Sequence, residues 1–262
     1  MKKLAFYSLA LVACLLAAFL LRGSTWGDLA TGGVATLLLP LFDSLLSSRL
    51  RIRHRWYSLR YATSDIRVSA AYLFRIKVDD RYLLIRSNRA PHFQPVGGVY
   101  KASRDGKAFL AAIGARDDDL IPIDTESASD LRIRIKGSQL PRFYDWFDAR
   151  KGREDSPWRE FHEELIEPGI LSPADFPYVF HDYLGREVDR IRHSRHADSL
   201  EILIADVYDL LPTARQEAAL RTLLASHGPT VAWATADTIR RRGAVPGGQQ
   251  TIDIAQHAIR VI

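Results

Sequence analysis

Four glutamates lie close together in one short segment of the sequence. They are Glu160, Glu163, Glu164 and Glu167, and at 100° per residue of an α-helix they fall within an arc of about 100°. Aromatic and aliphatic residues occupy the opposite side of the same turns. We therefore predict a helix over residues 157–166 that packs an apolar side inward and presents an acidic side.

The spacing alone leaves two interpretations of this acidic side open. Like charges three and four positions apart on a helix repel each other by roughly a few tenths of a kcal/mol per pair. A divalent cation removes that repulsion and prefers clustered carboxylate oxygens, which makes the glutamates candidate metal ligands. Alternatively, they form a solvated acidic face, which is common on protein surfaces.

A loop with basic, aromatic and glycine residues precedes this segment by about 60 residues. Arginine suits phosphate recognition, and an aromatic ring can stack on a nucleobase. The candidate ligand-binding residues of this region are Arg86, Arg89, His92, Phe93, Gly97 and Gly98. The alternative is an ordinary polar loop with one aromatic residue in the core.

The acidic segment resembles the core of the Nudix box, the signature of Nudix hydrolases. Residues 159–164 read Arg-Glu-Phe-x-Glu-Glu, where the family has Arg-Glu-apolar-x-Glu-Glu. The segment Gln94–Gly98 resembles the Pro-Gly-Gly sequence that precedes the box. Val231–Thr235 resembles the family's late strand and the start of the helix after it. The likeness covers about residues 70–262.

This resemblance implies a chemistry and a role for each residue. Glu160, Glu163 and Glu164 would ligate a divalent metal, Mg²⁺ or Mn²⁺, and Arg159 would orient a carboxylate. These four residues are the predicted catalytic set. In the family, metal-activated water attacks a phosphoanhydride.

The sequence departs from the family's pattern in three places. The family's upstream glutamate, eight positions before the arginine, falls on Lys151. Residues 166–168 intrude before Gly169, which stands in the place of the terminal glycine of the box. The segment between Gly98 and Arg159 is longer than usual. A hydrolase and a domain that only binds its ligand therefore both remain open.

Strand and helix patterns surround the candidate site in no regular alternation. Asp79-Asp80 between two apolar runs predicts a hairpin turn. Leu131–Lys136 alternates apolar and basic residues, which indicates a half-buried strand with a basic outer face. Residues 214–225 predict a helix, and Thr251 is a candidate cap for a last helix through Ile259. We predict an α+β fold with a divergent, Nudix-like mixed sheet between helices.

Two apolar runs at the N-terminus predict a transmembrane hairpin. Residues 4–21 contain no charge, and residues 29–46 contain only Asp43. Eighteen helical residues rise about 27 Å, close to the ~30 Å hydrocarbon core of a bilayer. We predict a hairpin over 1–48, a basic juxtamembrane connector over 49–70, and a domain over 71–262 with an inserted segment at about 101–150.

The distribution of basic residues predicts the orientation of this hairpin. Lys2 and Lys3 flank one end, and a cluster over Arg49–Arg55 follows the second apolar run, whereas the link holds only Arg22. Both termini should therefore be cytoplasmic, in a multi-pass inner-membrane protein. The basic cluster favours contact with lipid headgroups, so the membrane itself is a predicted partner. With one cysteine, Cys14, the chain forms no intramolecular disulfide.

This layout is similar to the two-helix, SMODS-associated Nudix effector of CBASS antiphage systems. The resemblance implies that a partner nucleotidyltransferase makes a cyclic oligonucleotide, which the effector senses before it oligomerises and disrupts the inner membrane. The alternative is a membrane-tethered hydrolase of a nucleoside diphosphate derivative. Cyclic oligonucleotides contain phosphodiesters rather than phosphoanhydrides, which favours binding without turnover.

Overall fold

The structure is a computed structural model that describes residues 2–26, 28, 34, 36–38, 52–87, 91–118, 129–194, 198–226, 228–244, 247 and 252–262. Arg89 and most of the second predicted transmembrane helix, including Asp43, lie outside these residues. The chain divides into two compact units. The first comprises Met1–Ala62 with Gly137–Pro141, and the second comprises Thr63–Lys136 with Arg142–Ile262.

The first unit contains helix α1 (Lys2–Leu20) and a helix α2 over residues 52–60. Large apolar side chains along α1 are each more than half exposed, namely Phe6, Leu9, Val12, Leu15, Leu16, Phe19 and Leu20. Among the residues described, no helix reaches the length and hydropathy that a membrane crossing requires. Tyr57 of α2 is buried.

The second unit is built on two sheets. Its described strands, in chain order, are β1 (Asp65–Arg75), β2 (Lys77–Val78), β3 (Arg81–Arg86), β4 (Phe93–Gln94), β5 (Gly97–Val99), β6 (Arg116–Asp117), β7 (Arg132–Lys136), β8 (Phe180–Val188), β9 (Arg192–Ser194), β10 (Ser199–Leu211) and β11 (Val231–Thr235). The larger sheet has the order β6-β7-β1-β10-β8, with β5 also paired to β1 and β9 to β10. The smaller sheet has the order β11-β3-β2, with β4 paired to β3.

The centre of the larger sheet is a parallel pair of long strands. β1 and β10 run side by side with Ala70 opposite Ile204. Most of their residues are buried, as is usual for parallel strands covered on both faces. The neighbours β7, β5 and β8 are antiparallel to this pair. The sheet is therefore mixed, and with the helices it gives the α+β class that the sequence predicts.

Among the described residues, five further helices lie in this unit, although the first two residues of α4 are assigned to the first unit. They are α3 (Arg104–Ala112), α4 (Leu140–Asp148), α5 (Trp158–Phe161), α6 (Ala214–Ala225) and α7 (Ala236–Arg240). Helix α6 has the predicted bounds. The last predicted helix is wrong, because residues Gln256–Val261 form a 3₁₀ helix instead, and Thr251 lies outside the described residues. Strand β1 begins at Asp65, six residues before the predicted start of the domain at residue 71.

The segment over residues 101–150 is part of the sheet and not an appendage. It contributes β7, which pairs with β1. The alternation predicted for β7 is confirmed, because Ile133 and Ile135 are buried. Its basic side chains are neutralised by acids: Arg132 by Asp130, Arg134 by Asp118, and Lys136 by Asp65, at 3.1–3.2 Å. The basic side chains on the predicted outer face of β7 are therefore ion-paired.

Candidate functional site: carboxylates around Arg159

The predicted acidic helix is present, but it changes its winding halfway. An α-helical turn, α5, is followed by a π-helical turn over His162–Ile166. In that turn the Glu167 N–H donates to the His162 carbonyl at 2.9 Å, five residues back. π turns inside helices are rare and frequently occur at functional sites. The prediction of one regular α-helix over residues 157–166 was therefore wrong in its second half.

Aromatic packing fixes the inward side of this helix. Phe161 is fully buried, with its ring centroid 5.4 Å from that of Phe74 on β1 and 5.7 Å from that of Phe176. Leu165 is also fully buried. Contacts of this kind contribute about 1.5–3 kcal/mol per buried large side chain, which holds the opposite, acidic side in place.

Arg159 is the centre of the site. Its Nη1 lies 2.7 Å from Glu160 Oε1 and 2.8 Å from Glu163 Oε2. Its Nε and Nη2 donate to the two carboxylate oxygens of Glu154 at 3.0 and 3.2 Å, and Nη2 also donates to the Val99 carbonyl at 3.0 Å. A guanidinium suits this arrangement because its donors form a planar fork. One cation thus fixes three carboxylates and the end of β5.

Glu154 is a member of the site that the sequence did not indicate. It lies five residues before Arg159, whereas the resemblance to the Nudix box places the upstream glutamate eight residues before it. The loop that presents it is anchored by the buried Arg153, whose guanidinium donates to the Phe147 carbonyl at 2.9 and 3.0 Å. The Glu154 N–H donates to the Lys101 carbonyl at 2.8 Å. Lys151, at the family's position, is exposed.

The glycine pair of β5 lies directly against the glutamates. The Gly97 N–H donates to Glu164 Oε2 at 2.8 Å. A Cβ atom on Gly98 would lie inside the Glu160 carboxylate, and one on Gly97 would overlap the Tyr72 carbonyl. Glycine is required at both positions because the backbone approaches other groups too closely for a side chain. The structure thus brings Gly97, Gly98 and the three glutamates together.

Burial raises the pKa values of two of these carboxyl groups. The pKa of Glu164 rises to about 8, first because burial disfavours its charge and then because Glu160 and Glu163 are close. The Gly97 N–H opposes this rise only partly. The pKa of Glu160 is also raised, mainly by burial, although Arg159 opposes the change. A carboxyl group that titrates near neutral pH is typical of functional sites.

The glutamates predicted as metal ligands have other partners within the site. Within the described part of the chain, no group of three or more His, Cys, Asp or Glu side chains is placed to hold a metal ion. Glu160 and Glu163 are paired with Arg159, and Glu164 accepts a backbone hydrogen bond. As arranged, these glutamates do not fit Mg²⁺ or Mn²⁺ as one ligand set.

The other candidate ligand-binding residues lie against the C-terminal segment. The Arg86 guanidinium is 5.9 Å from the centroid of the Phe93 ring, within cation–π range. The Phe93 N–H donates to the Asp253 backbone carbonyl at 2.7 Å. The Phe93 carbonyl accepts from the Ala255 N–H at 2.9 Å. His92 is close enough to lower the pKa of the partly buried His257. These residues therefore have partners within the second unit.

A second buried polar group lies behind β5 and was also missed. Asp206, fully buried in the middle of β10, accepts hydrogen bonds from the Tyr100 hydroxyl at 2.9 Å and from Arg186 at 2.6 and 3.0 Å. Tyr100 directly follows Val99, whose carbonyl contacts Arg159. An aspartate inside a long apolar run was the available signal, because a buried charge needs partners.

Comparison with known proteins assigns the family. The SMODS-associated NUDIX domain matches residues 65–262, which is most of the chain and begins where β1 begins. No curated protein and no solved structure matches the chain. The match includes β5, the glutamate-bearing helix and Glu154. The chain therefore belongs to the family of SMODS-associated Nudix domains.

Proposed function

We propose that this protein is a membrane-anchored effector of a CBASS-type antiphage system. Its Nudix domain would sense a cyclic oligonucleotide made by a partner nucleotidyltransferase. The observation that supports this most is the family match over residues 65–262, because its description associates the domain with SMODS. The α+β domain supplies the sensor, and the N-terminal hairpin supplies the effector part.

The geometry at Arg159 favours a sensor over an enzyme. Arg159 is the common partner of Glu154, Glu160 and Glu163, so a guanidinium occupies the centre of these carboxylates. A cyclic oligonucleotide has phosphodiesters and lacks the phosphoanhydride that Nudix hydrolases cleave. Its phosphates are anions, so they would compete with the glutamates for the guanidinium. Ligand binding would then rearrange the Glu160–Glu163 pairs without chemistry.

The membrane part of the proposal concerns the first unit. We propose an inner-membrane hairpin with both termini in the cytoplasm, self-association of the effector, and disruption of the bilayer. The exposed apolar side chains of α1, such as Phe6, Leu9 and Phe19, support a role in contact with lipid or with other copies. A ligand can change assembly only through a difference in its affinity for the two states.

A liposome assay tests this function. The full-length protein is reconstituted in vesicles with a trapped dye, and a panel of cyclic di- and trinucleotides is added. We expect dye release with one member of the panel, growth of the assembly in cross-linking, and recovery of that nucleotide intact. Absence of release with every member, together with steady turnover of nucleoside diphosphate derivatives, would contradict the sensor.

The alternative function is a membrane-tethered Nudix hydrolase. The raised pKa of Glu164, to about 8, favours it, because a base that titrates near the working pH is suited to proton transfer. This function needs Glu160, Glu163 and Glu164 to leave their present partners and accept Mg²⁺ or Mn²⁺. Turnover that depends on millimolar metal and disappears in Glu163→Gln would support the hydrolase.

A further inference from the structure

A small aromatic cavity lies beside the helix that contains Arg159. It has a volume of about 210 Å³ and is lined by Ser156, Trp158, Pro177, Tyr178, Val179 and His181. None of these lining residues is Asp, Glu, Lys or Arg. Drug-sized ligands occupy cavities of about 300–1,000 Å³. This cavity therefore suits a smaller, flat and uncharged group.

The cavity has a rigid aromatic wall. The Trp158 indole stacks on Phe161, with centroids 5.7 Å apart and planes at 18°. Phe161 is fully buried and packs in turn on Phe74 and Phe176. A ring supported in this way loses little conformational entropy when a second ring stacks on it. Tyr178 is 51% exposed, so the other side of the cavity is open to an incoming ligand.

An imidazole, that of His181, also lines the cavity. His181 has its ring in edge contact with Phe74 and Tyr208, at centroid distances of 6.2 and 5.1 Å. Burial lowers the pKa of this imidazole, which keeps it neutral near pH 7. A neutral imidazole has one donor and one acceptor nitrogen. The donor is engaged by the backbone of His181 itself, so the acceptor nitrogen is the one that can pair with the edge of a nucleobase.

We propose that this cavity is a nucleobase subsite, in which a purine stacks on Trp158 and Tyr178. The assignment of the base to a cyclic oligonucleotide rests on the proposed function. Trp158 directly precedes Arg159 in α5, so the cavity lies on the side of the helix turned about 100° from the Arg159 side chain. Base–aromatic stacking tolerates different bases, and His181 adds discrimination.

Binding of adenosine and guanosine to the full-length protein in detergent tests the cavity separately from the function. These nucleosides have a base but no phosphate, and calorimetry in the millimolar range measures their affinity. We expect Tyr178→Ala to weaken purine nucleoside binding roughly tenfold, and Tyr178→Phe to retain it. Leu184→Ala, an exposed residue nearby that does not line the cavity, is the matched control.

The outcomes separate the two proposals. Nucleosides that fail to bind, or that bind Tyr178→Ala as well as wild type, overturn the subsite. A cyclic trinucleotide of adenosine that binds wild type and Tyr178→Ala equally also overturns it, and leaves the sensor function standing. Nucleoside binding that requires Tyr178, with no cyclic di- or trinucleotide bound, supports a base site and contradicts the sensor. Trp158→Leu provides a second variant from the opposite wall.

Discussion

At the scale of single residues, Gly98 shows how closely the backbone approaches a functional carboxylate. Gly98→Ala would place a methyl group inside the Glu160 carboxylate, so either β5 or Glu160 must move. We expect a loss of about 1–3 kcal/mol in unfolding free energy, as for overpacked cores. Urea unfolding followed by circular dichroism measures it. Gly228→Ala is the control, because a Cβ there meets no atom within 4 Å. Equal losses of unfolding free energy in the two variants would contradict the close approach of Gly98 to Glu160.

Glu154 is predicted to hold the Arg159 guanidinium in place. Glu154→Gln weakens two hydrogen bonds to Arg159, and we expect a loss of about 1–2 kcal/mol in unfolding free energy. Adding Lys151→Glu should not restore it, because residue 151 is exposed and six residues separate it from the start of α5. Lys151→Glu alone should be close to neutral. Rescue by the second change would show that the family's position still contacts Arg159.

The site residues differ in how far the sequence could predict them. Gly97, Gly98, Glu160 and Glu164 were selected from their spacing together with the resemblance to the Nudix box, and the structure brings Gly97 to Glu164 and Gly98 to Glu160. Glu154 could not be selected, because its contact depends on the path of a loop that the buried Arg153 anchors. Spacing predicts partners along one helix, whereas it does not predict where a loop returns.

At the scale of elements, the C-terminal 3₁₀ helix makes stability depend on pH. Burial, then the nearby charges of Arg260 and His92, lower the pKa of His257 to about 4. Since its ordinary value is about 6.5, the unfolded chain binds more protons between these two values. Stability is therefore full above about pH 6.5 and falls by up to about 3 kcal/mol as pH approaches 4.

Chemical denaturation at a series of pH values measures this effect. His257→Gln, which stays neutral, should remove most of the decline between pH 6.5 and 4. His193→Gln is the control, because its side chain is 60% exposed. An unchanged decline in His257→Gln would assign the pH dependence to other groups.

Helices α5 and α6 show which elements are predictable. Helix α6 begins with a capping box in which Thr213 Oγ1 accepts from the Gln216 N–H and the Gln216 side chain accepts from Thr213. That signal is local, and the predicted bounds were correct. In the glutamate-bearing helix the winding changes at His162, and Glu164 in the π-helical turn accepts a hydrogen bond from the Gly97 N–H of β5. Such contacts come from distant parts of the chain, so the local pattern does not contain them.

At the scale of the whole molecule, the basic residues predict the side of the membrane on which the domain lies. An alkaline phosphatase fused after Ile262 should be inactive, and a fluorescent protein at the same position should be bright, because the positive flanks place the C-terminus in the cytoplasm. Both fusions are compared at equal expression. Insertion of the phosphatase in the link after Gly23 is the matched control and should be active. An active C-terminal phosphatase would exclude the predicted topology.

The fold class was predictable because the sequence of the second unit contains clear strand patterns and turn residues. The pairing of β1 with β10 was not, since parallel partners are joined by long connections that leave no local signal. The pairing of β7 with β1 was not predictable either. Residues 101–150, which contain β7, were predicted to be an inserted segment, whereas β7 pairs with β1 in the structure.

The parallel pair also has a consequence for how the protein is made. Arg75 of β1 and its partner Asp209 of β10 are 134 residues apart. At about 5–20 residues per second, the ribosome needs roughly 7–27 seconds between them. During that interval the nascent chain can pair β1 with β5 and β7 only. The sheet acquires β10, which lies between β1 and β8, when residue 211 has emerged. Folding of the second unit therefore follows, and does not accompany, most of its synthesis.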